Sequence, residues 1–308
     1  MADSLTMIPS LREKLSAGRF VATAEIVPPL SADPATLLAR AAPLRGYADA
    51  INVTDGAGAR VAMSSFAAAA ILKAADFEPV LQVTCRDRNR IALAAGLLGA
   101  AAQGVENLLI LHGDSPDGGD LPDAKPVYDL DSRGVMKLAR DMRDAGTLPS
   151  GRKIEPAPRF LIGGADSPLD PPADWRPTSL LAKAEAGADF IQTQFCFDLD
   201  LARRYLARLA DFGLTERLKF LIGIGPIASA RSARWIRDSL PGVSLPEGLI
   251  DRLDSAADPA AEGRHLCVEL IEGLREIPGV AGVHLMAPLQ KADAIAAVIA
   301  EAGLGPRR

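Results

Sequence analysis

The chain has few of the residues that crosslink proteins or bind metals. Its 308 residues include three cysteines and three histidines. The cysteines, Cys85, Cys196 and Cys267, lie far apart and form no CxxC pair. The sequence therefore indicates neither a disulfide framework nor a zinc site. No group of His, Asp and Glu has the spacing of metal ligands, and we predict no metal site.

The sequence also lacks segments typical of nucleic-acid or membrane partners. The formal net charge is −5 and no basic run stands out, which argues against binding to nucleic acid. No uninterrupted apolar run approaches the ~18 to 20 residues that a membrane span needs. The opening "MADSLTMIPSLREKLSAGRF" has no apolar core of the signal-peptide type. We therefore expect a cytoplasmic protein that acts on a small molecule, without membrane contact.

Apolar residues are abundant, at 48% of the chain, and they recur in a fixed alternation. Ala- and Leu-rich segments with helical spacing, such as "RIALAAGLLGAAAQG", separate short aliphatic runs. There are eight such runs, at 20–28, 50–56, 78–85, 107–114, 159–166, 190–197, 219–226 and 282–288. Continuous apolar strands that alternate with helices are typical of a parallel sheet covered by helices.

Two architectures fit this alternation, a doubly wound open sheet and a closed eight-stranded barrel. Eight strands in a chain of this length favour the barrel. The first strand ends in "EIVPPLS", without the GxGxxG fingerprint of a dinucleotide-binding open sheet. We predict a single-domain α/β protein, a (β/α)8 TIM barrel over 1–308 with an N-terminal helical extension at 1–19. Residues 238–263 are expected to form an inserted helical excursion before the last helix, and 115–130 a long loop after strand four.

The C-terminal ends of barrel strands are where catalytic groups are expected. Polar side chains occupy several of these ends, namely Glu25, Thr54, Asp55, Thr84, His112, Asp114, Asp166 and Gln194. Glu25 is the strongest candidate because its alternation with Ala24 and Ile26 points it into the barrel. A carboxylate there is costly unless it is paired or neutral. A structural ion pair is the alternative, but inward carboxylates near the barrel top more often serve chemistry.

The other polar strand ends leave two interpretations open. Asp114 follows Gly113, where a turn or helix-capping aspartate is as good an explanation as a functional one. A lone histidine such as His112 is more often a packed residue than a proton carrier. Gln192 and Gln194 share one face of strand six, which indicates hydrogen bonds either to a polar ligand ring or within an internal polar network.

Six segments of the chain resemble the methylenetetrahydrofolate reductases in order and spacing. They are "AEIVPP", "NVTDGAG", "VLQVTC", "LLILHGDSP", "KAEAGADFIQTQFCFD" and "GIGPI". The resemblance runs from about Phe20 to Leu304. It implies a TIM barrel that interconverts 5,10-methylenetetrahydrofolate and 5-methyltetrahydrofolate with NADH or NADPH, typically through bound FAD. The implied partner is a reduced folate, and the resemblance leaves a homo-oligomer open.

The resemblance assigns the catalytic residues. Glu25 matches a glutamate that acts as general acid at folate N5 while the methylene bridge opens to an iminium ion. Asp114 matches an aspartate that stabilises this cation. Both roles suit a reaction in which a cation must be generated by a proton donor and stabilised by a fixed charge.

The resemblance also implies substrate-binding residues on two strands. Gln194 matches a glutamine that orients the pterin, and Gln192 lies beside it on the same strand face. Lys291, next to Gln290, stands where a basic residue reaches the folate tail, and a cation suits the glutamate carboxylate there.

On the cofactor side the resemblance is weaker. The implied cofactor-binding positions are Thr54, Gln82, Leu111, His112, Gly113, Tyr128 and Lys183. Lys183 matches a basic residue near the flavin phosphates, whereas Gln82 replaces a histidine and His112 replaces an arginine. Hydride transfer through FAD and direct transfer from the nicotinamide to folate both stay open. The alternatives outside this chemistry are a folate-binding methyl-transfer or demethylation partner without redox activity, and a barrel lyase that uses Glu25 and Lys291.

Overall fold

A closed parallel barrel of eight strands forms the centre of the molecule. The computed structural model describes residues 9–240, 242–287 and 292–306. Each strand pairs with its neighbour in chain order, and β8 closes the barrel against β1. The strands are β1 Val21–Ile26, β2 Ala50–Val53, β3 Pro79–Thr84, β4 Asn107–Leu111, β5 Leu161–Asp166, β6 Phe190–Phe195, β7 Lys219–Ile224 and β8 Val280–Leu285. Each predicted apolar run overlaps one strand, and the predicted TIM barrel is confirmed.

Helices connect the strands and cover the outside of the barrel. They are α1 Leu11–Ser16, α2 Pro34–Ala41, α3 Ser65–Ala74, α4 Arg90–Ala102, α5 Ser132–Asp144, α6 Thr178–Ala186, α7 Leu199–Ala210, α8 Leu214–Arg217, α9 Ala230–Ser239, α10 Glu247–Ser255, α11 Pro259–Arg275 and α12 Ala292–Glu301. Several begin where a short polar side chain accepts hydrogen bonds from first-turn N–H groups, as Asn89 and Asp131 do. None of the helices in the described ranges is both long and apolar enough to cross a membrane.

The N-terminal end of the barrel is closed by helix α1. This helix begins with a reciprocal capping box, in which Ser10 and Glu13 each bind the other's backbone N–H. Its buried Leu11 and Leu15 form one apolar cluster with inward residues of several strands, Phe190 among them. With this end packed, the barrel opens at the C-terminal ends of its strands.

Two segments differ in detail from their predicted limits. Strand β4 ends at Leu111, so His112, Gly113 and Asp114 lie in the loop beyond it. The strand ends there because Gly113 has a φ of 96°, a left-handed conformation that turns the chain. The segment 238–263 contains α10 between the end of α9 and the start of α11, and the last helix, α12, follows β8 rather than this segment.

Candidate active site

The C-terminal ends of the strands open into a cavity of about 640 Å³. Its wall includes six of the residues singled out from the sequence, Glu25, Gln82, Leu111, Lys183, Gln192 and Gln194. It also includes Asp166, which the sequence singled out only as a polar strand end, and residues to which the sequence assigned no role, among them Trp175, Arg176, His284 and Met286. The cavity therefore brings one predicted catalytic residue together with two predicted substrate-binding residues and three predicted cofactor-binding residues.

Glu25 projects into this cavity from β1. Its neighbours Ala24 and Ile26 face outward and are buried in the apolar core between the strands and the helices. The Glu25 side chain keeps 24% exposure. Its Oε2 accepts a hydrogen bond of 2.8 Å from Gln82 Nε2, and His284 Nε2 lies 3.7 Å from the same oxygen. The carboxyl group is thus held in place while part of it stays open to a ligand.

Beneath Glu25, four buried side chains form a hydrogen-bonded group that we call the polar layer: Thr23, Asn52, Gln192 and His284. Gln192 and Asn52 exchange two amide hydrogen bonds, of 2.6 and 3.0 Å. Gln192 Nε2 also donates to Thr23 Oγ1 at 3.1 Å, and that hydroxyl lies 3.0 Å from His284 Nδ1. The Gln192 amide therefore makes its hydrogen bonds to other side chains of the protein. This agrees with the interpretation from the sequence in which Gln192 belongs to an internal polar network.

Gln194 presents its amide differently. Its Oε1 accepts a hydrogen bond of 2.9 Å from the N–H of Phe195. The pairing of β6 with β7 is irregular between Gln192 and Phe195, and the side chain of Thr193 accepts from Gly223 N at this point. Within the described ranges, the Gln194 NH2 group has no hydrogen-bond partner, so it is free to bind a ligand in the cavity.

Asp114 lies outside the cavity wall, although the sequence paired it with Glu25. It is exposed, and its Oδ2 accepts a hydrogen bond of 2.6 Å from the N–H of Gly58 in the loop after β2. Its backbone carbonyl accepts from Arg86 at 3.1 Å. In this structure Asp114 joins two loops, and its role toward a cation stays a prediction.

Four predicted cofactor-binding residues also lie outside the wall of the cavity. His112 and Tyr128 stack on each other, with ring centroids 4.6 Å apart and planes within 6°. A Cβ at Gly113 would lie 3.0 Å from Arg86 Cβ, so the position suits glycine on steric grounds as well. Thr54 is buried, and its Oγ1 has no hydrogen-bond partner in the part of the chain that the structure describes.

An ionic group around the buried Asp55 fastens the loops after β2 and β3. Both Asp55 carboxylate oxygens pair with Arg88, at 2.6 and 3.1 Å, and they also accept from Thr84 and Ser65. Burial opposes ionisation of Asp55, but Arg88 and the Thr84 N–H outweigh it, so the pKa of Asp55 lies below its usual range. The sequence identified Asp55 only as a polar residue at a strand end. In the structure its carboxylate stabilises the surrounding loops through Arg88 and Thr84.

At the end of β5, Lys183 and Asp166 form a half-buried pair. The Lys183 Nζ donates to the Ala165 carbonyl and lies 3.7 Å from Asp166 Oδ1, while the Tyr205 hydroxyl donates to Asp166 Oδ2. The side chains of Lys183 and Asp166 are 14% and 18% exposed. Burial raises the pKa of Asp166 and lowers that of Lys183. Sequence reasoning missed this pairing because it depends on which residues α6 and α7 bring to β5.

The residues present do not fit the phosphates of FAD at Lys183. A diphosphate needs cationic or N–H donors that are free to bind it. Lys183 is already balanced by Asp166, and the nearby Arg133 lies 2.8 Å from Asp131. The ring of His112 is stacked on that of Tyr128.

Two predicted substrate-binding residues, Gln290 and Lys291, lie outside the described residues. Sequence reasoning assigned no role to His284, Asn52 or Thr23, although the signal was present. Each is a polar residue inside an apolar strand, and strand alternation places it on the inner face.

Fold and site together define a (β/α)8 barrel whose C-terminal cavity combines a carboxylate, free amide donors and a buried histidine. The family model described as methylenetetrahydrofolate reductase matches residues 10–303. The chain therefore belongs to the methylenetetrahydrofolate reductase family.

Two curated relatives carry the family's name. The chain is 28% identical over 234 residues to a probable methylenetetrahydrofolate reductase (NADPH) of Caenorhabditis elegans, covering 73% of this chain and 32% of that protein. It is 27% identical over 231 residues to methylenetetrahydrofolate reductase 1 of Schizosaccharomyces pombe, covering 72% of this chain and 35% of that protein. The chain thus spans about a third of the length of these relatives.

Solved structures share the fold at low sequence identity. An uncharacterized protein from Clostridium thermocellum, which binds two copies of 5-methyl-5,6,7,8-tetrahydrofolic acid, matches with a TM-score of 0.61 at 15% identity, over 95% of this chain and 97% of that one. DmoA from Hyphomicrobium sulfonivorans matches with a TM-score of 0.54 at 12% identity, over 94% of this chain and 88% of that one. Both likenesses concern the barrel.

Proposed function

We propose that this protein interconverts 5,10-methylenetetrahydrofolate and 5-methyltetrahydrofolate in the C-terminal cavity, with NADH or NADPH as the hydride donor. The observation that carries the proposal is the position of Glu25. The residue that matches the family's acid lies in the cavity, accepts a hydrogen bond from Gln82, has His284 Nε2 3.7 Å away, and stays partly open to a ligand. The family membership of the chain and the name of the C. elegans relative support a nicotinamide-dependent folate reductase.

Glu25 supplies the proton that opens the methylene bridge. The bridge carbon is bonded to N5 and N10 of folate, and the positive charge of the iminium ion stays on N5 and this carbon. The bond that breaks is therefore the one to N10, and bond balance places the proton on N10 rather than on N5. Hydride addition to the bridge carbon then gives the methyl group on N5, and Glu25 is left as a carboxylate beside the site.

The polar layer prepares Glu25 for this step. Thr23 Oγ1 accepts a hydrogen bond from Gln192, and its single proton has two acceptors within reach, His284 Nδ1 at 3.0 Å and the Val283 carbonyl at 3.4 Å. When Thr23 donates to Nδ1, the one N–H of a neutral imidazole is at Nε2, the nitrogen that faces Glu25. Gln82 and His284 then both present N–H groups to the carboxylate that forms when Glu25 gives up its proton.

Other wall residues orient the folate and exclude water. The free NH2 of Gln194 suits the acceptor atoms of a pterin ring. Leu111, Trp175 and Met286 give the wall apolar surface, which strengthens electrostatic interactions inside the cavity by keeping water out. A reduced nicotinamide supplies the hydride when it is bound.

A turnover assay tests the proposal. The purified chain is mixed with 5,10-methylenetetrahydrofolate and NADH or NADPH, and 5-methyltetrahydrofolate is quantified by mass spectrometry. The reverse reaction is run with 5-methyltetrahydrofolate and an oxidised acceptor. No turnover in either direction by a folded protein overturns the proposal. Tight folate binding that no nicotinamide cofactor affects would instead favour the methyl-transfer or demethylation partner.

A further inference from the structure

We propose that Asp166 is a specificity-determining residue that keeps phosphate groups away from Lys183 and reserves this part of the cavity wall for uncharged ligand segments. The proposal rests on the proposed function only for the identity of the ligands. Its physical basis is the arrangement of charges at the end of β5, which can be tested by binding alone.

The pair is built from three elements of the barrel. Asp166 ends β5, Lys183 comes from α6 and Tyr205 from α7. The Tyr205 hydroxyl donates to one carboxylate oxygen, and Lys183 lies 3.7 Å from the other. Both members of the pair line the cavity, and both are less than one-fifth exposed. Contacts from two helices therefore hold the carboxylate beside the lysine.

An anion that approached Lys183 would have to compete with this carboxylate. It would lie within a few ångströms of a like charge in a partly dry wall, where charge interactions are stronger than in water. Pulling Lys183 away would leave Asp166 as an uncompensated buried charge, which is strongly unfavourable. Charge balance therefore makes a phosphate a poor ligand at this position.

The surrounding wall agrees with an uncharged occupant. Leu169, Trp175 and Leu180 are apolar, and Thr178 and Ser179 carry neutral hydroxyls. Two other described cations lie near this part of the wall. Arg176 is exposed and lies over the ring of Phe212 at 5.5 Å, and Arg133, which lines a smaller adjoining pocket with Lys183, is 2.8 Å from Asp131. A ligand that carries both an uncharged segment and phosphates would thus place the uncharged ring or carboxamide near Asp166. Its phosphates would lie toward Arg176.

Flavin titrations of the purified chain test the proposal without folate or turnover. Asp166→Asn removes the carboxylate charge and leaves Lys183 free. We expect this variant to bind FAD about tenfold more tightly than the wild type, as one additional charge-assisted contact would give. Riboflavin, which has the same ring system but no phosphate, should bind both proteins equally. The matched control is Asp170→Asn, which removes an exposed carboxylate of the loop after β5 that pairs with Arg204 of α7.

A double variant with the wild-type net charge shows whether FAD binds more tightly because of direct contact with Lys183 or because the wall has lost a negative charge. Asp166→Asn with Lys183→Gln has the same net charge in this wall as the wild type, so its affinity for FAD should return to the wild-type value. Three results would overturn the proposal: wild-type protein that is purified with FAD bound, a folded Asp166→Asn protein that binds FAD no more tightly, or a double variant that binds FAD more weakly than the wild type. Thermal melts by circular dichroism establish that each variant is folded.

Discussion

The two sides of the cavity satisfy their polar groups in different ways. On the side of β1, β6 and β8, buried side chains bond to one another in the polar layer and leave parts of Glu25 and Gln194 open. On the side of the loops after β2, β3 and β4, polar groups bond across the loops. There Asp114 binds the backbone of Gly58, and Asp55 binds Arg88. The comparison teaches that the side of β1, β6 and β8 leaves polar groups of Glu25 and Gln194 open to a ligand, whereas the loops after β2, β3 and β4 use their polar groups to fasten one another.

Replacing Glu25, the proposed general acid, should have the largest effect on the rate of folate reduction. Glu25→Gln keeps the size and the hydrogen-bonding capacity of the side chain but cannot donate the proton. We expect kcat for folate reduction to fall by about 10²- to 10⁴-fold, the range for a lost general acid. Folate affinity, measured by fluorescence quenching, should change little. Glu106→Gln, at a carboxylate near Arg159 far from the cavity, is the control; equal activity of Glu25→Gln and this control would contradict the assignment.

The second-largest effect on kcat should come from replacing His284, a member of the polar layer. His284→Gln leaves Glu25 without the imidazole N–H and disturbs Thr23. We expect kcat to fall by about tenfold to a hundredfold, because misplaced catalytic groups lose rate steeply. The KM for folate should stay nearly constant, and the pH dependence of kcat should move. A loss confined to thermal stability, with kcat and its pH profile unchanged, would make His284 a purely structural residue.

Asp114 offers a direct comparison between the two sides. Asp114→Asn keeps an oxygen that can accept from Gly58 but removes the charge. If Asp114 stabilises the iminium ion as the family resemblance implies, folate turnover should fall by about tenfold or more. An unchanged rate in steady-state kinetics would mean that Asp114 only fastens loops, through its contacts with Gly58 and Arg86.

The smallest effect should be on the pH dependence of the free energy of unfolding, through Asp55 in the loop after β2. The folded-state pKa of Asp55 is lowered, so its contribution to stability is present above the ordinary pKa of 3.8 and is lost as the pH falls through the lower folded value. Urea unfolding at pH 7 and at pH 3 should show a smaller acid-induced loss in Asp55→Asn than in the wild type. Equal pH dependence of the two proteins would show that Asp55 is not the group that titrates.

The fold could be predicted from the sequence because strand and helix periods are local. The eight apolar runs needed only neighbouring residues to be recognised, and alternation alone placed Glu25 inside the barrel. Gln192 illustrates the limit, since its strand face was predictable but its partners, Asn52 and Thr23, come from other strands. The exact end of β4 was also missed, because Gly113, at positive φ, turns the chain two residues beyond Leu111.

The Lys183 and Asp166 pair shows the same limit in the site. The resemblance predicted a free cation near flavin phosphates, but the carboxylate that balances it lies 17 positions earlier in the chain and meets it only in the folded barrel. Family motifs describe positions one at a time, whereas the net charge of a cavity wall depends on all the groups that line it.

The account is tested most directly by following the hydride. NADH or NADPH with deuterium at both C4 positions is mixed with 5,10-methylenetetrahydrofolate in ordinary water, and the methyl group of the product is examined by mass spectrometry. The account predicts one deuterium per methyl group, retained in full because the label does not pass through a reduced flavin, whose N5 hydrogen exchanges with water. A methyl group that has lost the label, or no methyl product at all, would contradict it.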